Sequence, residues 1–320
     1  MADNNVIQLR DMKKDEVFTG YLLVKAAQVR VSSNGSKYLD ATLTDASAEM
    51  NAKGWNWGEL PVPEAGSVVK VRSGITEFGG KLQMRIDRLA PAEQSEIDWT
   101  ALVPCAPEDP DAMYEQVWLA TQTFEDEGLK NLAQQMLLDN KDNLLLWPAA
   151  LNFHHAQRSG LLYHTLTMLR AAQALLPIYP YLDRSLLLCG VILHDLQKMR
   201  EISSTQQGIA TSYTNEGMLI GHIVMGVAQV DRTARELGLD EERALLIKHM
   251  LLSHHERPEY GSPVAPMIPE AEVLHTLDQM DARLFAMVNA LLPTQPGDLS
   301  ERVRALDGRK IYKRSDAIYD

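Results

Sequence analysis

Cysteine is nearly missing from this chain of 320 residues: there are two, Cys105 and Cys189. Two thiols make no disulfide framework, so a reducing, cytoplasmic setting is expected. Long apolar runs are missing as well. No stretch reaches the roughly 18 uncharged apolar residues that a membrane span needs. Residues 1–10 are polar, unlike a secretory leader. Neither a membrane partner nor a targeting segment is expected. There is no internal repeat and no low-complexity tract. Basic charge is in deficit, with 31 Lys+Arg against 43 Asp+Glu and a net charge of −12. That argues against broad electrostatic affinity for nucleic acid. The deficit is uneven, however. Residues 1–90 hold 12 basic and 11 acidic residues, and the remainder holds 19 and 32. Histidine is absent from the first 153 residues, and all nine histidines fall between His154 and His275.

A chain of this length is expected to form two domains. Residues 1–90 read as β structure. Apolar runs at 17–25 and 29–31 precede a turn with an Asn34-Gly35 signal, and residues 38–45 alternate with period two. Further strands are expected at 49–55, 67–72 and 82–86. Five short strands with polar turns suggest a small all-β barrel of the OB type, which binds single strands on one face; a small sandwich also fits the pattern. Residues 91–110 are expected to be a linker, with Pro91, Pro104, Pro107 and Pro110 among acidic residues. An all-α domain is expected over 111–306, followed by a polar tail at 307–320. Its helices are read at 111–138 (one or two), 159–176 with Ser159 as N-cap, 185–198 with Asp183 as N-cap, 217–237, 240–254 and 270–291. The 185–198 helix is apolar nearly all round, which marks it as buried.

The histidines mark a function of the helical domain. His194-Asp195 ends the apolar helix, where a buried imidazole and carboxylate are costly unless compensated. A hydrogen-bonded His–Asp pair or a divalent metal would each compensate them. His164 lies mid-helix among core residues, His222 follows Gly221 in an apolar stretch, His254-His255 ends another helix, and Asp278 lies within the last. Five helices that each bring His or Asp out of apolar surroundings are hard to explain without a shared metal site.

The order H…HD…H…HH…D resembles the HD superfamily of metal-dependent phosphohydrolases. More narrowly, the chain resembles the YhaM-type 3′→5′ exoribonucleases, which join an N-terminal OB-fold to an HD domain. Residues 154–155, 160–166, 190–195, 216–223, 253–256, 261–263, 270–271 and 278–282 carry the likeness, with 37–39 and 52–55 in the barrel. The resemblance implies two metals bridged by Asp195. His164, His194 and Asp278 would complete one, and His222, His254 and His255 the other. Mixed imidazole and carboxylate donors suit Mn²⁺, Fe²⁺ or similar ions; Mn²⁺ is favoured, with Fe²⁺, Co²⁺ or Mg²⁺ as alternatives. Two such ions can activate water and neutralise phosphoryl oxygens. Catalytic roles are expected for Asp195 and for Lys198, which would bind the scissile phosphate. His154 and His155 are candidates to approach substrate, His275 to support Asp278, and His249 to be structural. Gln197 stands where the superfamily often has glycine, and its side chain is expected to narrow the approach to the metals. The Gly-Tyr-Pro motif of cyclic-dinucleotide phosphodiesterases is absent after His255, and Gly160 stands where some of those enzymes place an acidic ligand for a third metal.

Single-strand binders combine basic grooves with aromatic platforms. Tyr21, Tyr38, Trp55, Trp57 and Phe78 are candidate platforms, and the pairs Lys37 with Tyr38 and Lys53 with Trp55 are preferred. The expected function is metal-dependent 3′→5′ hydrolysis of single-stranded RNA, extending to single-stranded DNA. Hydrolysis of small or cyclic nucleotides, or nucleic-acid binding without catalysis, are the alternatives. Symmetric assembly is common among soluble enzymes, so a homo-oligomer is compatible with this reading.

Overall fold

A computed structural model describes residues 8–151, 157–205 and 207–316. The chain divides into two compact units, Met1–Cys105 and Ala106–Asp320. In the first, strands β1 (Val17–Val31), β2 (Lys37–Thr44), β3 (Glu49–Gly54), β4 (Val68–Phe78) and β5 (Lys81–Pro91) close a barrel in the order β1-β2-β3-β5-β4, with β4 returning to β1. All pairs are antiparallel except β3 with β5. This is an OB-type barrel, not a sandwich.

The two apolar runs expected as separate strands form one continuous β1. A register shift between Val24 and Ala26 lets its first half pair with β4 and its second with β2. A bulge of this kind bends a strand so that it can serve two neighbours. On β2 the alternation holds: Leu39, Ala41 and Leu43 point into the core and Tyr38, Asp40 and Thr42 point outward. Leu22, Val24, Val71, Ile75 and Met84 fill the rest of the barrel.

The 91–110 segment departs from the expected linker. It closes β5, makes a 3-10 turn at Gln94–Glu96 and forms the short helix α1 (Trp99–Leu102). Asp98 caps α1 by accepting from the Thr100 N–H. Leu102 is buried, and the Ala46 N–H donates to the Ala101 carbonyl at 3.0 Å. Pro91 and Pro104 bracket this element without interrupting it, so most of the segment belongs to the barrel unit.

The second unit contains α2 (Pro110–Thr121), α3 (Glu127–Leu144), α4 (Gly160–Leu175), α5 (Arg184–Leu193), α6 (Lys198–Glu201), strands β6 (Ile202–Ser204) and β7 (Ala210–Tyr213), then α7 (Asn215–Leu219), α8 (His222–Leu237), α9 (Glu241–Ser253) and α10 (Pro269–Leu291). Among the described residues no helix is long and apolar enough to cross a membrane. Helix α5 is buried on every side, and α3, α4, α9 and α10 all pack against it. Asp109, Asp126, Asp183, Thr214 and Asp240 cap their helices through side-chain oxygens.

Five details differ from the sequence reading. Ser159 is no side-chain cap: its φ is 60° and its hydroxyl donates to the Leu145 carbonyl. Helix α5 stops at Leu193, so 194–197 form a turn. The stretch expected as one helix over 217–237 breaks at Ile220-Gly221, where Gly221 has φ 79°. A small β6–β7 hairpin interrupts the helical unit, and the expected tail is held as far as Lys313 by pairs such as Ser300 with Ile311 and Gly297 with Lys313.

Helix α7 packs directly on the end of α6. A Cβ on Gly217 would lie 2.4 Å from the Glu201 carbonyl oxygen. Gly217→Ala is therefore expected to cost about 1–3 kcal/mol through overpacking against backbone that cannot rotate away. A thermal melt identical to that of the parent protein would show that the contact is not tight.

Candidate metal centre

The turn that ends α5 aims two side chains at one point. His194 Nδ1 lies 2.9 Å from the Val191 carbonyl, which only accepts, so Nδ1 carries the proton and Nε2 turns inward. Asp195 follows it into the same space. His164 comes from the middle of α4, His222 from the first residue of α8, His254 and His255 from the end of α9, and Asp278 from α10. His254 repeats the geometry of His194, with Nδ1 2.8 Å from the Leu251 carbonyl.

Asp195 stands between two sets of imidazoles. Its Oδ2 is 3.3 Å from His194 Nε2 and 3.6 Å from His164 Nε2. Its Oδ1 is 3.3 Å from His222 Nε2 and 3.7 Å from His254 Nε2. Asp278 Oδ1 lies 3.3 Å from His164 Nε2, and its Oδ2 3.9 Å from His255 Nε2. Two groups of donors result: His164, His194 and Asp278, and Asp195, His222, His254 and His255, with the donor atoms of each within 4.8 Å of one another.

Donor chemistry fits divalent cations. Both Asp195 oxygens and the Nε2 atoms of His222 and His254 are buried without a hydrogen bond. Leaving such groups unmatched in a dry interior is costly, and a cation would satisfy all of them together. Lys198 Nζ forms an ion pair with Asp195 Oδ2 at 2.6 Å. Burial opposes ionisation of Asp195, but Lys198, His194 and His222 outweigh it and hold the carboxyl well below its usual range. Burial likewise opposes ionisation of Asp278, and His164 outweighs it. Burial and neighbouring imidazoles keep His254 well below the ordinary histidine range, and His255 is lowered chiefly by burial. For His164, burial lowers the pKa, yet contacts with Asp278 and Asp281 prevail and raise it to about 9. The same two carboxylates would also draw a divalent cation toward His164.

Every expected ligand is thus brought to one place. Lys198 joins them and is no ordinary surface lysine, being 8% exposed. Gln197 does not crowd the centre. Its side chain is buried and bonds Gln229 on α8, with Arg200 on its other end. His275 Nδ1 donates to the His254 carbonyl at 2.8 Å, so it holds the backbone of His254 rather than Asp278. His249 accepts from the Met267 N–H, a structural role. His154 and His155 lie outside the described residues. Sequence reasoning missed two carboxylates: Glu201, 2.8 Å from His222 Nδ1, and Asp281, 2.7 Å from His164 Nδ1. Asp281 is one turn beyond Asp278 and so shares its face, a signal that was available. Glu201 gave none, because it reaches His222 across the hairpin.

In the barrel, Tyr38 and Trp55 meet with ring centroids 5.0 Å apart, and Lys53 Nζ sits 5.3 Å from the Tyr38 centroid. Trp55 is 53% exposed. The positive charge of this patch is partly cancelled. Lys53 and Arg30 both pair with Asp40, at 2.6 and 3.0 Å, and Lys37 turns to Glu59 at 2.8 Å. Trp57 belongs to the core, while Phe78 is 78% exposed at the β4–β5 turn.

The HD domain family matches residues 161–283, which contain the whole donor set. The 3′-5′ exoribonuclease YhaM of Halalkalibacterium halodurans is 38% identical over 303 residues, 93% of each chain. The 3′-5′ exoribonuclease YhaM of Shouchella clausii is 37% identical over 312 residues, 96% of each. Among solved structures, the second OB-fold domain of replication protein A from Methanococcus maripaludis aligns at 16% identity with a TM-score of 0.24, covering 28% of this chain and 95% of that one. With the identity to both relatives carried along nearly its whole length, the chain belongs to the YhaM family of 3′-5′ exoribonucleases.

Proposed function

We propose that the protein shortens single-stranded RNA from its 3′ end by hydrolysis at a two-cation centre bridged by Asp195. The observation that carries this reading is the central carboxylate itself, with one oxygen facing His164 and His194 and the other facing His222 and His254. A group that serves only one partner set has no need of that arrangement. His164, His194 and Asp278 would hold one cation, and His222, His254 and His255 the other. Mn²⁺ is the cation we favour, since mixed nitrogen and oxygen donors accept it as they do Fe²⁺ and Co²⁺. When bound, such ions supply an activated water and neutralise phosphoryl oxygens.

The protein's own groups do the rest. Lys198 keeps its ammonium charge beside the centre: burial lowers its pKa, but Asp195 and Asp278 outweigh that. A cation there balances the growing negative charge of a phosphoryl group. Buried imidazoles with fixed Nδ1 protons keep their orientation through turnover. The barrel holds the strand by stacking bases on Tyr38 and Trp55, with Lys53 and Lys37 near its phosphates. Stacking tolerates any base, as a general exonuclease requires. Single-stranded DNA offers the same faces and is expected to be a weaker second substrate.

Chelation tests the metal requirement. Protein stripped of divalent ions is expected to leave 5′-labelled RNA intact, and added Mn²⁺ to restore a ladder shortening from the 3′ end. Cyclic dinucleotides and nucleoside triphosphates, offered in parallel, should persist. Consumption of a small nucleotide while the RNA stays whole would reject the exonuclease reading.

A further inference from the structure

Each imidazole that faces Asp195 is braced from behind, and the braces are of two kinds. His194 and His254 lean on carbonyls of their own helices, Val191 at 2.9 Å and Leu251 at 2.8 Å. His164 and His222 lean instead on carboxylates from other elements. Asp281 Oδ2 is 2.7 Å from His164 Nδ1, and Glu201 Oε2 is 2.8 Å from His222 Nδ1. One of each kind falls in each half of the centre: His164 groups with His194 and Asp278, and His222 with His254 and His255.

Both carboxylates are fixed in turn. Asp281 Oδ1 accepts from the Thr167 hydroxyl at 2.7 Å, and Thr167 lies one turn beyond His164 on the same face of α4. Glu201 Oε1 accepts from the His222 N–H at 3.2 Å, so the residue grips both the backbone and the ring of its histidine. Their side chains are 16% and 14% exposed, which shields their charge from solvent. A carbonyl brace sets only the tautomer. A carboxylate brace also makes the ring a stronger donor and adds negative charge against a dication.

We propose that Asp281 and Glu201 are positioning residues, one for each half of the centre, and that they set the two cation affinities separately. The proposal rests on the reading that both halves bind a cation. Neither residue touches substrate; each acts through its histidine.

The test is calorimetric titration of chelator-stripped, full-length protein with Mn²⁺, with bound metal counted by mass spectrometry. The parent protein should take up two ions. Asp281→Asn and Glu201→Gln should each keep one ion at parental affinity and bind the other about 10- to 100-fold more weakly. The double variant should weaken both. Thr167→Val, which keeps the Asp281 charge and disturbs the fold less, should give a smaller loss in the same half as Asp281→Asn. Parental affinity for both ions in both single variants overturns the proposal and leaves the two-cation reading standing. Equal weakening of both ions by either single variant overturns the separate assignment. A parent protein that takes up fewer than two ions overturns the two-cation reading and this proposal with it.

Discussion

Asp195→Asn is expected to abolish RNA shortening, by at least about 10³-fold, more than the 10- to 100-fold typical of residues behind a metal ligand. That corresponds to about 4 kcal/mol of barrier. Asparagine keeps the size of the side chain, so the turn after α5 and the packing around it need not move. What changes is the charge and one of the two acceptor oxygens. Asp195 turns one oxygen toward each set of imidazoles, so its loss is expected to disable the centre as a unit. It also leaves the buried Lys198 ammonium without its partner at 2.6 Å, and a modest fall in melting temperature should accompany the loss of activity. The measurement is single-turnover decay of 5′-labelled RNA in Mn²⁺ alongside a thermal melt. Retention of full activity by a folded Asp195→Asn protein would remove the assigned centre.

The second large effect concerns the barrel. The double variant Tyr38→Ala/Trp55→Ala is expected to bind long single strands roughly 5- to 150-fold more weakly, since one stacked base is worth about 1–3 kcal/mol. Turnover of a minimal phosphodiester, which engages only the helical unit, should stay unchanged. Binding by fluorescence anisotropy and hydrolysis of a chromogenic diester separate the two. A parallel fall in both would dissolve the division of labour between the units. Salt dependence of strand binding should be shallow for a nucleic-acid binder, because Asp40 and Glu59 already occupy Lys53, Arg30 and Lys37.

Much of this was legible in the residue order, and the reasons are physical. Imidazoles inside apolar helical stretches announce themselves, since His164 and His194 would be costly there without compensation. The period-two pattern of Tyr38 to Leu43 stated which face of β2 is wet. Other features depended on distance in space. Glu201 reaches His222 from 21 residues away, and no local pattern encodes that. Gln197 reads as an obstruction from its position beside His194-Asp195, yet its rotamer turns it to Gln229. Trp57 resembles an exposed platform in composition but closes over Gly54, where a Cβ would meet its ring at 2.6 Å. The break at Ile220-Gly221 hid within an apolar run whose helical periodicity continues on both sides.

The placement of His194 and His254 at the last turns of α5 and α9 has a consequence for the lifetime of the protein in a cell. Most helical domains draw cohesion from an oily interior that is always present. This unit has such an interior around α5, but the point where five helices converge is polar, and a bound cation would add to its cohesion. An ion bound there ties α4, α5, α8, α9 and α10 together, and folded-state stability then rises with its concentration as RT ln(1 + [L]/Kd). Metal scarcity would act twice on such a protein, silencing it at once and exposing it to proteolysis afterwards.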